Sequence, residues 1–182
     1  IKFDGYMEDT YLHPNYFKPN KNILKKLNLN SQERYVVLRL VSWDASHDIG
    51  QKGFKMDILV KLIDEIKKHA RVFISAENKI PKIFKKYQLS INPTEIHDIL
   101  SFAELFIGEG ATMASECAIM GTPSIYINTL SAGTLKDQQQ RGILYMFKSS
   151  NGLIEKTKEI LTNPKVKKET KQKSIDLFKN KI

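Results

Sequence analysis

Leu105-Phe106-Ile107-Gly108-Glu109-Gly110-Ala111-Thr112-Met113-Ala114-Ser115-Glu116 is the stretch on which the reading of this chain turns. Leu105–Gly108 has the length and apolar continuity of a strand buried on both faces. It runs through Gly108-Glu109-Gly110-Ala111-Thr112 directly into a helix expected over Met113–Met120. Gly121 ends that helix in the C′ manner, since glycine takes the left-handed conformation without a Cβ penalty. The glycines at 108 and 110 permit a tight turn and close approach of a ligand to the backbone. Free N–H groups and the positive dipole end at the helix start then favour an anion such as a diphosphate. No Gly-Lys-Ser/Thr follows, so this is not a Walker A loop, and Met113 breaks a Gly-x-Gly-x-x-Gly pattern. An ordinary strand-to-helix turn shares these features, and spacing alone leaves both readings open.

The same alternation continues on either side. Tyr35–Val41, Arg71–Ser75 and Pro123–Asn128 are apolar runs of strand length, while Leu89–Ile91 and Ile143–Phe147 are weaker strand candidates. Ile58, Leu59, Leu62, Ile63 and Ile66 form the stripe of an amphipathic helix. Pro81 opens a short helix running to Tyr87, and Thr94 is placed to cap another, with His97 as its N3 residue. Further helices are expected over Leu135–Arg141, after a cap at Asn151, and from about Pro164 to Asn180. Continuous apolar strands alternating with helices predict an α/β fold: a Rossmann-like, doubly wound parallel sheet of five or six strands. Such sheets bind ligands at the carboxyl ends of their strands. Residues 1–34 read as an aromatic N-terminal segment packed on the domain, 35–163 as the Rossmann-like domain, and 164–182 as a lysine-rich C-terminal helix.

A chain of 182 residues has room for one domain and can bury a core without disulfides or a metal. Its single cysteine, Cys117, excludes an intrachain disulfide, and its four histidines are too scattered for common zinc spacings. No apolar run spans a bilayer, and Lys2, Asp4, Glu8 and Asp9 do not read as a signal peptide, so a cytoplasmic location is expected. The chain opens on Ile1, which suggests a domain excised from a longer protein.

The net charge is +9, and nine lysines against Glu159, Glu169 and Asp176 place +6 of it in residues 156–182. That end offers a peripheral contact with an anionic membrane face, or a solvated helix face. Arginines are few and no aromatics interleave with these lysines, so there is no strong nucleic-acid signal.

Glu116 sits about one turn into an otherwise apolar helix, where an unpaired buried carboxylate is costly. Facing a ligand cleft, it would accept both hydroxyls of a ribose; facing solvent, it would do nothing specific. The loop after the first strand, Ser42-Trp43-Asp44-Ala45-Ser46-His47-Asp48, opens on the same cleft. His47, flanked by Asp44 and Asp48, has the surroundings of a general base oriented by a carboxylate. Asp137-Gln138-Gln139-Gln140 is a polar cluster after the next strand, and Cys117 reads as core.

Gly108–Pro123, with Gly121-Thr122-Pro123 after the helix, resembles the nucleotide-binding turn of GT-B fold proteins. It is similar to the C-terminal domain of UDP-N-acetylglucosamine 2-epimerases and of the peptidoglycan lipid-intermediate N-acetylglucosaminyltransferase. Tyr11–Asn15, Val41–Asp48 and Gly108–Glu116 together resemble an uncharacterised prokaryotic GT-B-like family, a domain of unknown function, over essentially the whole chain. The resemblance implies the C-terminal half of a GT-B fold, with a missing N-terminal domain of the same protein as its partner. It implies a nucleoside diphosphate sugar, such as a UDP-sugar, as ligand. Gly108, Gly110, Ala111 and Thr112 would meet the diphosphate and Glu116 the ribose. Asp137, Gln138 and Gln139 would meet the sugar, and Ser42 and His97 would line the nucleotide site. The implied activity is glycosyl transfer or epimerisation, with His47 and Asp44 as catalytic candidates and the isolated domain inactive. No cofactor and no metal are expected, because the helix start itself stabilises a leaving diphosphate. The His-Arg-x-Glu-Asn pattern of the epimerases is absent, which weakens epimerase chemistry. A non-enzymatic nucleotide or glycan binding module of polysaccharide assembly is the alternative.

Overall fold

A computed structural model describes residues 5–30, 32–41, 55–130 and 133–179. Five strands, β1 (Tyr35–Leu40), β2 (Arg71–Ala76), β3 (Leu105–Gly108), β4 (Ser124–Ile127) and β5 (Leu144–Phe147), form one sheet in the order β2-β1-β3-β4-β5. All neighbouring pairs are parallel. The helices are α1 (Asp9–Leu12), α2 (Asn22–Lys26), α3 (Met56–Ile66), α4 (Ile96–Phe102), α5 (Ala111–Met120), α6 (Gly133–Gln140), α7 (Leu153–Thr162) and α8 (Pro164–Phe178).

Alternate residues of each strand enter different cores, as the two-residue strand period requires. Val36, Leu38, Leu40, Leu105, Ile107 and Ile125 pack with Leu59, Leu62 and Ile63 of α3 and Ile160 of α7 on one face. Tyr35, Val37, Phe106 and Tyr126 pack on the other face with Leu100 of α4, Cys117 of α5, Leu135 of α6 and Phe178 of α8. Helices therefore cover both faces, and the sheet is doubly wound. Tyr6, Leu12, Ile23, Leu27 and Leu29 join the second core, so the N-terminal segment is packed into the domain.

Helix α5 is buried on every side from Ala114 to Met120, which accounts for its lack of a polar face. Its end is a Schellman turn: Gly121 N–H reaches the Ala118 carbonyl at 3.1 Å and Thr122 N–H the Cys117 carbonyl at 2.9 Å. The next carbonyls are met by α8, with Lys171 Nζ donating to Met120 O at 2.7 Å and Ser174 Oγ donating to Ile119 O. Burial, and then the nearby Lys167 charge, hold the Lys171 ammonium below its ordinary pKa. Val166, Thr170, Ser174 and Phe178 are the buried stripe of α8.

Gly108 is fixed by packing. A Cβ there would lie 2.6 Å from Phe106 Cζ and 2.9 Å from Arg39 Cβ, and the Phe106 ring is fully buried. Gly108→Ala is expected to cost about 2 kcal/mol by overpacking. A thermal melt would read this as a fall of roughly 4–8 °C in Tm.

Three local expectations are corrected. Leu89–Ile91 is not a strand: one bridge, Ile74 to Gln88, and the Leu89 N–H to Ile74 carbonyl bond at 2.8 Å are its link to β2. The turn before α4 is capped by Asn92, whose Oδ1 accepts from Thr94 N–H at 3.1 Å, so Thr94 is held and not the cap. Asn151 does not cap α7; Gly152 does, in the left-handed conformation at φ 75°.

Candidate functional site

The strand order reverses between β1 and β3: the chain moves from β1 outward to β2, then crosses to β3 on the other side. The carboxyl ends of β1 and β3 are thus the topological switch point, where this class of sheet opens a crevice for ligands. Gly108-Glu109-Gly110 lies there and leads into α5.

Gly110 is the N-cap of α5, with extended backbone at φ −86° and ψ 121° and no side chain to cap the helix. The Gly110 carbonyl accepts from Ala114 N–H at 3.2 Å. The preceding N–H groups, of Ala111, Thr112 and Met113, meet no acceptor among the described residues. Three open donors thus stand at the positive end of a ten-residue helix, an environment that favours negative charge. A Cβ on Gly110 would meet Val41 Cγ2 at 3.6 Å, an ordinary contact. Neither backbone conformation nor crowding by the described residues demands glycine at 110, in contrast to 108.

Glu109 sets the edges of this crevice. Its side chain is buried, and Oε2 accepts the Val41 N–H at 3.0 Å. Its carbonyl accepts from Asn128 Nδ2 at 3.1 Å. One residue therefore ties together the ends of β1, β3 and β4. Sequence reasoning passed it over, because a glutamate between two glycines reads as a solvated loop residue.

Glu116 is buried, with 11% of its side chain exposed, so it does not face solvent. Oε1 accepts the Tyr11 phenol at 2.9 Å and lies 3.1 Å from His97 Nε2. Burial, and then the bond to Glu116, push the Tyr11 phenol above its ordinary pKa and keep it a donor. The His97 ring is flanked by Tyr11, centroids 5.8 Å apart, and by Phe17 at 6.0 Å. Cys117 is fully buried, and that burial raises its thiol pKa further from reactivity.

The polar cluster on α6 is engaged by the protein itself. Asp137 Oδ2 accepts from the Tyr6 phenol and from Arg141 Nε at 2.7 Å. Gln138 is fully buried, its Nε2 donating to Ser115 Oγ at 2.7 Å while its Oε1 has no partner among the described residues. Gln139 Oε1 accepts the Met146 N–H at 3.0 Å. Gly108, Gly110, Ala111, Thr112, Glu116 and His97 are thus brought to one end of the domain around α5, while Gln138 and Gln139 brace α6. Ser42, Asp44 and His47 lie outside the described residues. Among the described residues no group of three or more His, Cys, Asp or Glu side chains is placed to hold a metal. No described helix is long and apolar enough to cross a membrane.

The profile of a family described as "Protein of unknown function (DUF354)" matches residues 1–178. An uncharacterized protein of Methanocaldococcus jannaschii is 29% identical over 133 residues, covering 69% of this chain and 38% of that protein. The UDP-GlcNAc 2-epimerase of Neisseria meningitidis, solved bound to UDP-GlcNAc, is similar in structure at TM-score 0.59 and 10% identity. That match covers 86% of this chain and 46% of the epimerase. The wall teichoic acid polymerase TagF is similar at TM-score 0.53 and 12% identity, over 94% of this chain and 42% of the polymerase. At these identities the likeness shows the fold: a Rossmann-like domain of the kind found in GT-B glycosyltransferases and UDP-GlcNAc 2-epimerases. The chain spans less than half the length of each of these relatives.

Proposed function

This chain belongs to the DUF354 family, and we propose on that footing that it binds a nucleoside diphosphate sugar at the β1/β3 switch point. The observation that carries this reading is the start of α5. Three N–H groups without an acceptor among the described residues face an anion's place, behind a glycine that neither its backbone nor its described neighbours require. The diphosphate sits on Ala111, Thr112 and Met113, where amide donors and the helix dipole neutralise its charge. Glu116, further along the same helix, accepts the ribose hydroxyls through Oε2, the oxygen that Tyr11 and His97 leave open. The reading does not lean on Asp137, Gln138 or Gln139, each of which has a partner within the chain.

The chemistry this supports is the donor side of glycosyl transfer or of an epimerase-like reaction on the bound sugar. Amides fixed at the helix start stabilise negative charge on a departing diphosphate without needing to reorganise. The acceptor, or the reactive partner, is held by a second domain that completes the cleft, and Asp44 and His47 are the candidates for proton transfer.

Calorimetric titration with UDP, UDP-N-acetylglucosamine, GDP and ADP tests the reading. One nucleoside diphosphate is expected to bind, and Glu116→Ala to weaken it about tenfold, which is about 1.4 kcal/mol. Binding that ignores Glu116→Ala would remove the ribose contact from the account.

A further inference from the structure

We infer that Tyr11 and His97 are positioning residues that hold the Glu116 carboxylate so that its free oxygen meets the ribose. The inference rests on the ribose reading of Glu116 given above. A carboxylate oxygen offers two lone-pair directions. Oε1 accepts the Tyr11 phenol at 2.9 Å, and His97 Nε2 lies 3.1 Å from the same oxygen. Rotation about the last side-chain bond would forfeit the Tyr11 bond and the close His97 contact, so the position of Oε2 is set by two residues that need not touch the ligand.

Three elements converge on this one oxygen: α1 supplies Tyr11, α4 supplies His97 and α5 supplies Glu116. The imidazole is itself constrained by the rings of Tyr11 and Phe17. A carboxylate free to rotate pays rotamer entropy on meeting a diol; one already locked does not. The N-terminal segment is thereby a functional part of the nucleotide site as well as a part of the core.

The test compares ribose with a sugar lacking its hydroxyls. Affinities for UDP and for 2′,3′-dideoxy-UDP are measured in the wild-type protein and in Tyr11→Phe, His97→Ala and His97→Gln, with a thermal melt of each. GDP and ADP with their dideoxy counterparts replace UDP if one of them is the better ligand. The wild type is expected to prefer the ribonucleotide tenfold or more. Tyr11→Phe and His97→Ala are expected to reduce that preference to about threefold or less, and Tyr11→Phe to leave affinity for the dideoxy form unchanged. His97→Gln, which keeps a donor, is expected to restore most of it. A purely structural role would weaken both nucleotides equally and leave the preference intact, and that result overturns the inference while sparing the ribose reading. A wild-type protein that binds neither nucleotide, or binds both equally, overturns the ribose reading and this inference with it.

Discussion

Gly121→Ala is expected to lower Tm by about 10 °C. Two costs add at this position. The backbone is left-handed, at φ 80°, which costs a residue with a Cβ about 1 kcal/mol or more. The added carbon would also lie 2.5 Å from Lys171 Cδ and 2.9 Å from Lys171 Cα. The second of these is backbone, and α8 cannot yield there without losing the Lys171 and Ser174 bonds to the end of α5. Together the two effects cost about 3–4 kcal/mol, and a domain of this size loses roughly 2–4 °C per kcal/mol. Gly152 is the control. It is also left-handed, at φ 75°, yet among the described residues a Cβ there meets only Phe147 Cε1, at 3.7 Å. Gly152→Ala should therefore show the backbone cost alone, a fall of about 3 °C. Equal falls at the two positions in a thermal melt would refute the packing of α8 against α5.

Gly110→Val is expected to do the reverse: to leave Tm within about 2 °C of the wild type and to weaken nucleoside diphosphate binding at least thirtyfold. The backbone at 110 is extended, which suits a β-branched residue. Among the described residues the nearest heavy atom to a Cβ at 110 is Val41 Cγ2 at 3.6 Å, an ordinary contact. Its methyl groups would stand over the N–H groups of Ala111 and Thr112 and keep a phosphate from reaching them. A thirtyfold loss is about 2 kcal/mol, comparable to the loss of one or two charge-assisted hydrogen bonds. Calorimetry on Gly110→Val and Gly110→Ala should show a graded loss; full affinity in both would mean that no ligand approaches this turn.

The two glycines show how far the sequence could be read. Its spacing assigned a C′ role to Gly121 and left Gly110 open between a ligand turn and an ordinary strand-to-helix turn, because strand, turn and helix are local patterns. The strands β1, β2, β3 and β4 were legible for a related reason: a parallel sheet covered on both faces demands continuous apolar runs. Leu89–Ile91 failed because it has the composition of an edge strand but adds only one bridge to β2. The cap of α7 failed because Asn151 is a good cap by type, while the left-handed backbone falls one residue later, at Gly152.

The site was less legible than the fold. Nothing in the local pattern around Glu116 announces Tyr11, 105 residues away, or the histidine of α4. The role of Glu109 depends on the register of β1 against β3, which brings Val41 N–H to its carboxylate. Asp137 to Gln139 looked like a ligand cluster by composition. Their hydrogen bonds to Tyr6, Ser115 and the backbone of β5 appear only once α6 is packed.

The central claim, a diphosphate seated on the start of α5, is tested most directly by backbone amide chemical-shift mapping of the 20.9 kDa chain on titration with UDP and the other nucleoside diphosphates. The account predicts that the amides of Ala111, Thr112 and Met113 shift most and saturate together. Shifts confined to the lysine-rich helix α8, with those three amides unmoved, would show an anion held by surface charge and would contradict it.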